Sequence, residues 1–221
     1  MIKISVERRS LQISPQTQAL AAAASSRQAL KSELLARLSE TASDYAPVAA
    51  WSVHPDMIKA LVRLYSEESS FLPLEEIASW MKYTKGLYLL PGMSSLFYAR
   101  TDRRLVLPNR SAIAALGEAA LGLIVPWLYP ASFLIARPVL DYPDCLFDCP
   151  ANNTVYLAES KATTQSEADI KATIDSELAR FVLLVSACAQ LEVKSSVAGL
   201  LVGTVLVSTT EWKCFVSEII V

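Results

Sequence analysis

Apolar residues in the first half of the chain recur mostly at helical spacing. Ile58, Leu61 and Tyr65, for example, fall on one face of a helix. We predict a strand over residues 2–6, helices over 15–39, 55–68 and 73–82, a linker over 41–53, and two short strands over 87–90 and 96–99. The single histidine, His54, is expected at the start of the second helix, as a capping or surface residue.

Strand-like and helical patterns alternate in the second half. We predict a helix from Ser111, a strand over 131–136, two strand runs over 144–149 and 154–161, a long helix over 166–191, and strands over 197–208 and 212–221. The run over 197–208 is continuously apolar and rich in β-branched residues, which is typical of a buried central strand. This order predicts an α/β protein in which helices flank a mixed central sheet.

The predicted elements suggest two parts of different composition. Residues 1–110 are mostly helical and are expected to form an accessory, substrate-facing region. Residues 111–221 contain the predicted sheet, so we place a boundary near Pro108. One core shared by both parts is the alternative.

The strongest candidate chemistry lies in residues 143–161, which read as a β-hairpin. Residues 150–153 (Pro-Ala-Asn-Asn) supply turn chemistry between the two strand runs. Glu159 and Lys161 are two positions apart on one strand, so their side chains project from the same face. If the two runs pair, Asp144 comes close to Glu159. Two carboxylates on neighbouring strands form a hard-cation site that suits Mg²⁺ or Mn²⁺, and a lysine beside them can stabilise developing negative charge.

The same residues carry a family resemblance. Pro143-Asp144, then a hairpin, then Glu159-Ser160-Lys161 at the end of a hydrophobic strand resembles the PD-(D/E)xK nucleases, the restriction-endonuclease-like superfamily. The separation of 15 positions between the aspartate and the glutamate lies in the usual range for that family. The order of helix, hairpin, long helix and two strands around the motif adds to the resemblance.

The resemblance covers residues 111–221 and implies a restriction-endonuclease-like core. It implies a Mg²⁺- or Mn²⁺-dependent enzyme that hydrolyses DNA phosphodiester bonds, acting in restriction, in phage defence or as a toxin. Asp144 and Glu159 would bind the metal, and together with Lys161 they would form the catalytic set. Glu118, on the preceding helix, is the residue that matches a further metal ligand in many members of the superfamily. An exposed glutamate at the helix edge is the alternative for this position.

Charge limits how such a protein would contact DNA. The net charge is −2 and the isoelectric point about 5.5, which argues against a broad basic DNA-binding face. The most basic local run of the chain lies over residues 100–110, and it is where we expect phosphate contacts, with a solvated loop as the alternative. The candidate residues in this run are Arg100, Arg103, Arg104 and Arg110.

Cysteine spacing and hydropathy add three expectations. The four cysteines and one histidine show no zinc-like spacing, so the cysteines are expected to be packing residues. Residues 119–136 carry no charge, but Pro126 and Pro130 interrupt them, so we expect no membrane span. The first residues do not resemble a secretory signal, and a cytoplasmic location is expected.

Two other functions remain open at this point. The acidic isoelectric point and the apolar middle of the chain also fit a catalytically silent binding or scaffold protein on the same fold, with a protein partner or a second copy bound. A membrane-associated protein built on residues 119–136 is the weaker alternative.

Overall fold

The structure is a computed structural model that describes residues 1–27, 29–66, 70, 72–84, 107–138, 142–192 and 195–221. The strands in this part are β1 Ile2–Gln12, β2 Ala46–Val53, β3 Phe133–Ala136, β4 Cys145–Cys149, β5 Thr154–Thr163, β6 Ser196–Ser208 and β7 Glu211–Ile220. The helices are α1 Pro15–Ser26, α2 Ala29–Thr41, α3 Pro55–Tyr65, α4 Pro73–Thr84, α5 Arg110–Leu128 and α6 Glu167–Leu191.

The strands form one mixed sheet in the order β2-β1-β7-β6-β5-β4-β3. Two neighbouring pairs, β1 with β7 and β5 with β6, are parallel, and the other four are antiparallel. The connection between the parallel strands β5 and β6 is the long helix α6, as parallel neighbours require. The prediction of an α/β protein with a mixed, helix-flanked sheet is therefore confirmed.

Helices cover both faces of the sheet, and each face has its own apolar core. One core packs α3, α4 and α5 against the sheet, with Ile58, Leu116 and Leu121 fully buried. The other packs α1, α2 and α6 against the opposite face, and it buries Ile174 and Phe181 of α6. The molecule is thus a three-layer sandwich in which β6 and β7 lie near the centre.

The element order predicted for the second half is present: α5, β3, β4, β5, α6, β6 and β7 follow one another. Ser166 is the N-cap of helix α6: its hydroxyl accepts from Asp169 N while the Asp169 carboxylate accepts from Ser166 N. Such a capping box is readable from the sequence, because both partners are local. His54 caps α3 through Nδ1, which accepts from Asp56 N, so its predicted capping position is confirmed.

Two predictions for the first half are wrong. Residues 15–39 form two helices rather than one, since Arg27 adopts an extended conformation between α1 and α2. Just before it, the hydroxyls of Ser25 and Ser26 donate to backbone carbonyls of the preceding turn, a bond pattern that competes with helix continuation. The linker expected over 41–53 contains the edge strand β2, whose alanines and proline give little strand signal.

Strands from the first half belong to the same sheet as the second half. Strand β1 is longer than the predicted 2–6 and pairs with β7 over residues 3–12. Each of the two cores therefore contains residues from both parts, such as Ile2 with Leu116 and Leu11 with Ile174. The strands predicted over 87–90 and 96–99 lie outside the described residues.

Helix α5 combines high hydropathy with a buried position. It is long and apolar enough to cross a membrane, since an 18-residue segment of it has a mean hydropathy of 1.7. However, 61% of that segment is buried inside the protein, as expected for a core helix. Its apolar composition is thus explained by the sheet and by α3, both of which it contacts.

Candidate active site

A cleft of about 680 Å³ opens where the β4–β5 hairpin separates. Strand β4 begins at Cys145, opposite Ala158, whereas β5 continues to Thr163, so the last part of β5 borders the cleft without β4 beside it. The N-terminal half of α5 forms another wall. Charged and amide side chains lining the cleft include Arg110, Glu118, Asp144, Glu159, Lys161 and Gln165.

Asp144 and Glu159 meet at the open end of the hairpin, as predicted. Asp144 N donates to Glu159 Oε2 at 3.1 Å, and Ser160 N donates to Asp144 Oδ2 at 2.6 Å. Each carboxylate thus accepts from the backbone of the opposite run. These two bonds continue the pairing of the strands beyond Cys145 and fix both side chains at the cleft.

Lys161 lies beside this carboxylate pair. Its Nζ donates to Glu159 Oε1 at 2.5 Å, which confirms that the two side chains share a face of β5. The Glu159 side chain is 2% exposed and that of Lys161 is 32% exposed. The ion pair therefore has a buried anionic half and a half that reaches solvent.

The pKa of Glu159 is raised from 4.5 to about 7, chiefly by burial and then by the Asp144 charge, against the lowering effects of Lys161 and of the hydrogen bond from Asp144 N. A buried carboxylate of this kind is costly to ionise. It is stabilised by a proton, by an ammonium group or by a metal ion. Such a perturbed carboxylate in a cleft is typical of a functional site.

The raised pKa predicts a specific pH dependence of stability. Because the folded pKa exceeds the unfolded one, folded Glu159 binds a proton between about pH 4.5 and 7 that the unfolded chain releases. Its stabilising contribution is complete below pH 4.5 and is lost as the pH rises through 7. We expect the free energy of unfolding of the wild type to fall by about 3 kcal/mol relative to Glu159→Gln over this range.

Chemical denaturation of both proteins in EDTA between pH 4.5 and 8 measures this difference. Glutamine preserves the shape of the side chain and does not titrate, so a constant difference in free energy of unfolding between the two proteins does not affect the comparison. If the free energies of unfolding of both proteins changed in parallel with pH, the raised pKa of Glu159 would be contradicted.

Gly117 sets the distance between α5 and the end of β5. A Cβ on this residue would lie 2.7 Å from Ala162 Cβ and 2.8 Å from Ser160 Oγ, so only glycine allows the observed approach. The next residue, Glu118, is half-buried and lines the cleft. Among the described residues, however, no group of three or more His, Cys, Asp or Glu side chains is placed to hold a metal ion.

The donor set nevertheless suits Mg²⁺ or Mn²⁺. Both ions prefer oxygen ligands, and Mg²⁺ commonly binds through one or two carboxylates while it keeps several waters. Asp144 and Glu159 supply two carboxylates at the cleft wall. A cation there would also offset the mutual repulsion that raises the pKa of Glu159.

Of the four arginines predicted to contact phosphate, the structure describes only Arg110. It is exposed, it begins α5 and it lines the cleft. Arg100, Arg103 and Arg104 lie outside the described residues. Gln165 is also exposed at the cleft, close in sequence to the end of β5.

Tyr142 is a neighbour of the site that sequence reasoning missed. Its ring packs edge-on against Phe181, and Arg180 Cζ lies 3.8 Å from the ring centre. Burial, followed by the negative charge of Glu159, raises the pKa of the hydroxyl, which has no hydrogen-bond partner among the described residues. In the sequence, only its position directly before Pro143 pointed to a place near the site. Its packing against α6 could not be predicted, because that contact depends on the tertiary fold.

Among the described residues, the cleft is thus lined by the carboxylates of Glu118, Asp144 and Glu159 and by the basic side chains of Arg110 and Lys161. No protein-family model, curated protein or solved structure matches this chain.

Proposed function

We propose that this protein is a metal-dependent nuclease that hydrolyses DNA phosphodiester bonds on a restriction-endonuclease-like core. The observation that carries the proposal is the meeting of Asp144, Glu159 and Lys161 at one cleft wall, at the open end of a hairpin. Two adjacent carboxylates beside an ammonium group favour chemistry on a phosphodiester, since that substrate is anionic and gains charge on attack.

Each residue has a distinct role in this proposal. Asp144 and Glu159 would hold Mg²⁺ or Mn²⁺, and Glu118 borders the same cleft as a candidate further ligand. When bound, the ion would lower the pKa of a coordinated water and offset charge on the phosphate. Lys161 would place Nζ against the phosphate oxygens, where its charge counts most as the attacking oxygen bonds to phosphorus and the P–O bond of the leaving group breaks.

Substrate binding would use the exposed rim of the cleft. Arg110 stands there, and its guanidinium suits a phosphate oxygen pair. Arg100, Arg103 and Arg104 remain proposed phosphate contacts. With a net charge of −2, we expect weak non-specific DNA binding that falls steeply with salt.

Cleavage of supercoiled plasmid DNA tests the proposal. We expect the wild type to nick or linearise the plasmid with Mg²⁺ or Mn²⁺, and EDTA to abolish the reaction. Asp144→Asn should be inactive, because it keeps an oxygen to accept from Ser160 N but removes the charge. The matched control is Asp148→Asn, on β4 of the same hairpin.

An inactive wild type would contradict the proposal if it cleaved neither DNA nor RNA and bound no Mn²⁺ by calorimetry. Equal activity of Asp144→Asn and Asp148→Asn would place the site elsewhere.

One observation favours a second candidate, a silent binding or scaffold protein on the same fold. Both carboxylates already accept hydrogen bonds from the chain, so they close the hairpin without a cation. In this case the wild type would be inactive. Asp144→Asn would then change only stability.

A further inference from the structure

The Glu159 carboxylate has two oxygens with very different partners. Oε2 accepts from the backbone N–H of Asp144 at 3.1 Å, and that N–H belongs to the hairpin itself. Oε1 accepts from Lys161 Nζ at 2.5 Å. Only the second partner is a side chain, so Oε1 is the oxygen that can change its partner while the hairpin stays closed.

We propose that a divalent cation and the Lys161 ammonium compete for Oε1 of Glu159, so that cation binding releases Lys161 into the cleft. This inference rests on the proposed nuclease function, which assigns Asp144 and Glu159 to the cation. Two positive charges on one carboxylate oxygen repel each other, and the low local dielectric around a side chain that is 2% exposed strengthens the repulsion.

The geometry also decides which group moves. Glu159 is buried and is held through Oε2, so it stays in place. Lys161 is 32% exposed near the end of β5, and its flexible four-carbon stem lets Nζ reorient at little cost. The lysine therefore leaves the carboxylate, and its ammonium remains at the wall of the same cleft.

The competition has a functional consequence. Without a cation, the Lys161 ammonium pairs with the Glu159 carboxylate and is not available to a substrate. With a cation bound, the same ammonium is free to donate to a phosphate oxygen. Cation binding and the release of Lys161 from Glu159 are thus coupled. By thermodynamic linkage, the cation favours release of the lysine by the same free energy by which release of the lysine favours cation binding.

Acylation of lysines with a small amine-reactive reagent tests this coupling on the wild-type protein without DNA. An ammonium group held by a buried carboxylate is shielded from the reagent. We expect saturating Mg²⁺ to raise the labelling rate of Lys161 by at least about 5-fold, measured by peptide mass spectrometry.

Two ion-paired lysines elsewhere in the described part of the chain serve as controls. Lys213 pairs with Glu167 at 2.6 Å and is 36% exposed, and Lys59 pairs with Glu75 at 2.5 Å. Neither lysine lines the cleft. Their labelling rates should not change with Mg²⁺. In Glu159→Gln, Lys161 should label rapidly with or without the ion.

Calorimetry with Mg²⁺ under the same conditions separates the outcomes. Faster labelling of Lys161 alone, with the ion bound, supports the competition. Unchanged labelling with the ion bound overturns it and leaves the proposed function intact. If no ion binds, the competition is overturned, and the cleavage assay with Mg²⁺ or Mn²⁺ decides the proposed function separately.

Discussion

Replacing Lys161 by methionine is expected to lower the rate of the proposed Mg²⁺-dependent DNA cleavage by about 10²- to 10³-fold. Methionine keeps an unbranched apolar stem of similar length but removes the ammonium that lies at the cleft wall beside Glu159. The loss should appear in the cleavage step more than in DNA binding, because the charge is needed most in the transition state. Single-turnover cleavage and DNA binding measured separately would show this difference.

Lys213→Met is the control for this substitution. It removes a lysine of nearly equal exposure from an ion pair of nearly equal length outside the cleft, where the partner Glu167 is 41% exposed rather than buried. Activity of this variant should match the wild type. The folded state of Lys161→Met should be checked near pH 6, where Glu159 is protonated and does not need the missing ammonium. A fully active Lys161→Met would remove the lysine from the mechanism.

Gly117→Ala is also expected to have a large effect, although it adds only one methyl group. The new Cβ would lie 2.7 Å from Ala162 Cβ, which is fixed to the backbone of β5, so α5 and β5 must separate. Overpacking of this kind costs about 1–3 kcal/mol, of which the better helix propensity of alanine offsets up to about 1 kcal/mol. Because β5 carries Glu159 and Lys161, a displacement near 1 Å is expected to lower cleavage by about 10²-fold.

A compensating substitution tests the cause directly. Ala162→Gly removes the nearest atom that the new methyl group would meet, and Ser160 Oγ can rotate away. The double variant Gly117→Ala/Ala162→Gly should therefore regain much of the lost activity, relative to Ala162→Gly alone. Denaturation and cleavage assays on the three variants measure both effects. If the single variant equals the wild type, the close approach of α5 has no role in positioning the site.

The elements that sequence reasoning found are those whose signals are local. The hairpin of β4 and β5 has alternating strands around a turn of proline and asparagines, and α6 begins at a capping box. The alternation of side chains along a strand is enough to place Glu159 and Lys161 on one face. The proximity of Asp144 follows from the pairing of the two strands.

What sequence reasoning missed depends on distant contacts. Strand β2 has weak strand propensity and is stabilised by its pairing with β1. Tyr142 gains its position from Phe181 and Arg180 on α6, far along the chain. The bond from Ser160 N to Asp144 Oδ2 likewise depends on the exact end of the hairpin. No local pattern encodes these contacts.

The pairing of β1 with β7 also determines the order in which the sheet is completed during synthesis. Partners on these strands lie more than 200 positions apart; Arg9, for example, bonds Ser217 at a separation of 208. Until the ribosome has released residues 211–220, the β1–β2 pair and the group from β3 to β6 have no strand to join them. A nascent chain halted before that point exposes the edges of β1 and β6 that β7 covers in the complete sheet, and each can pair with another chain.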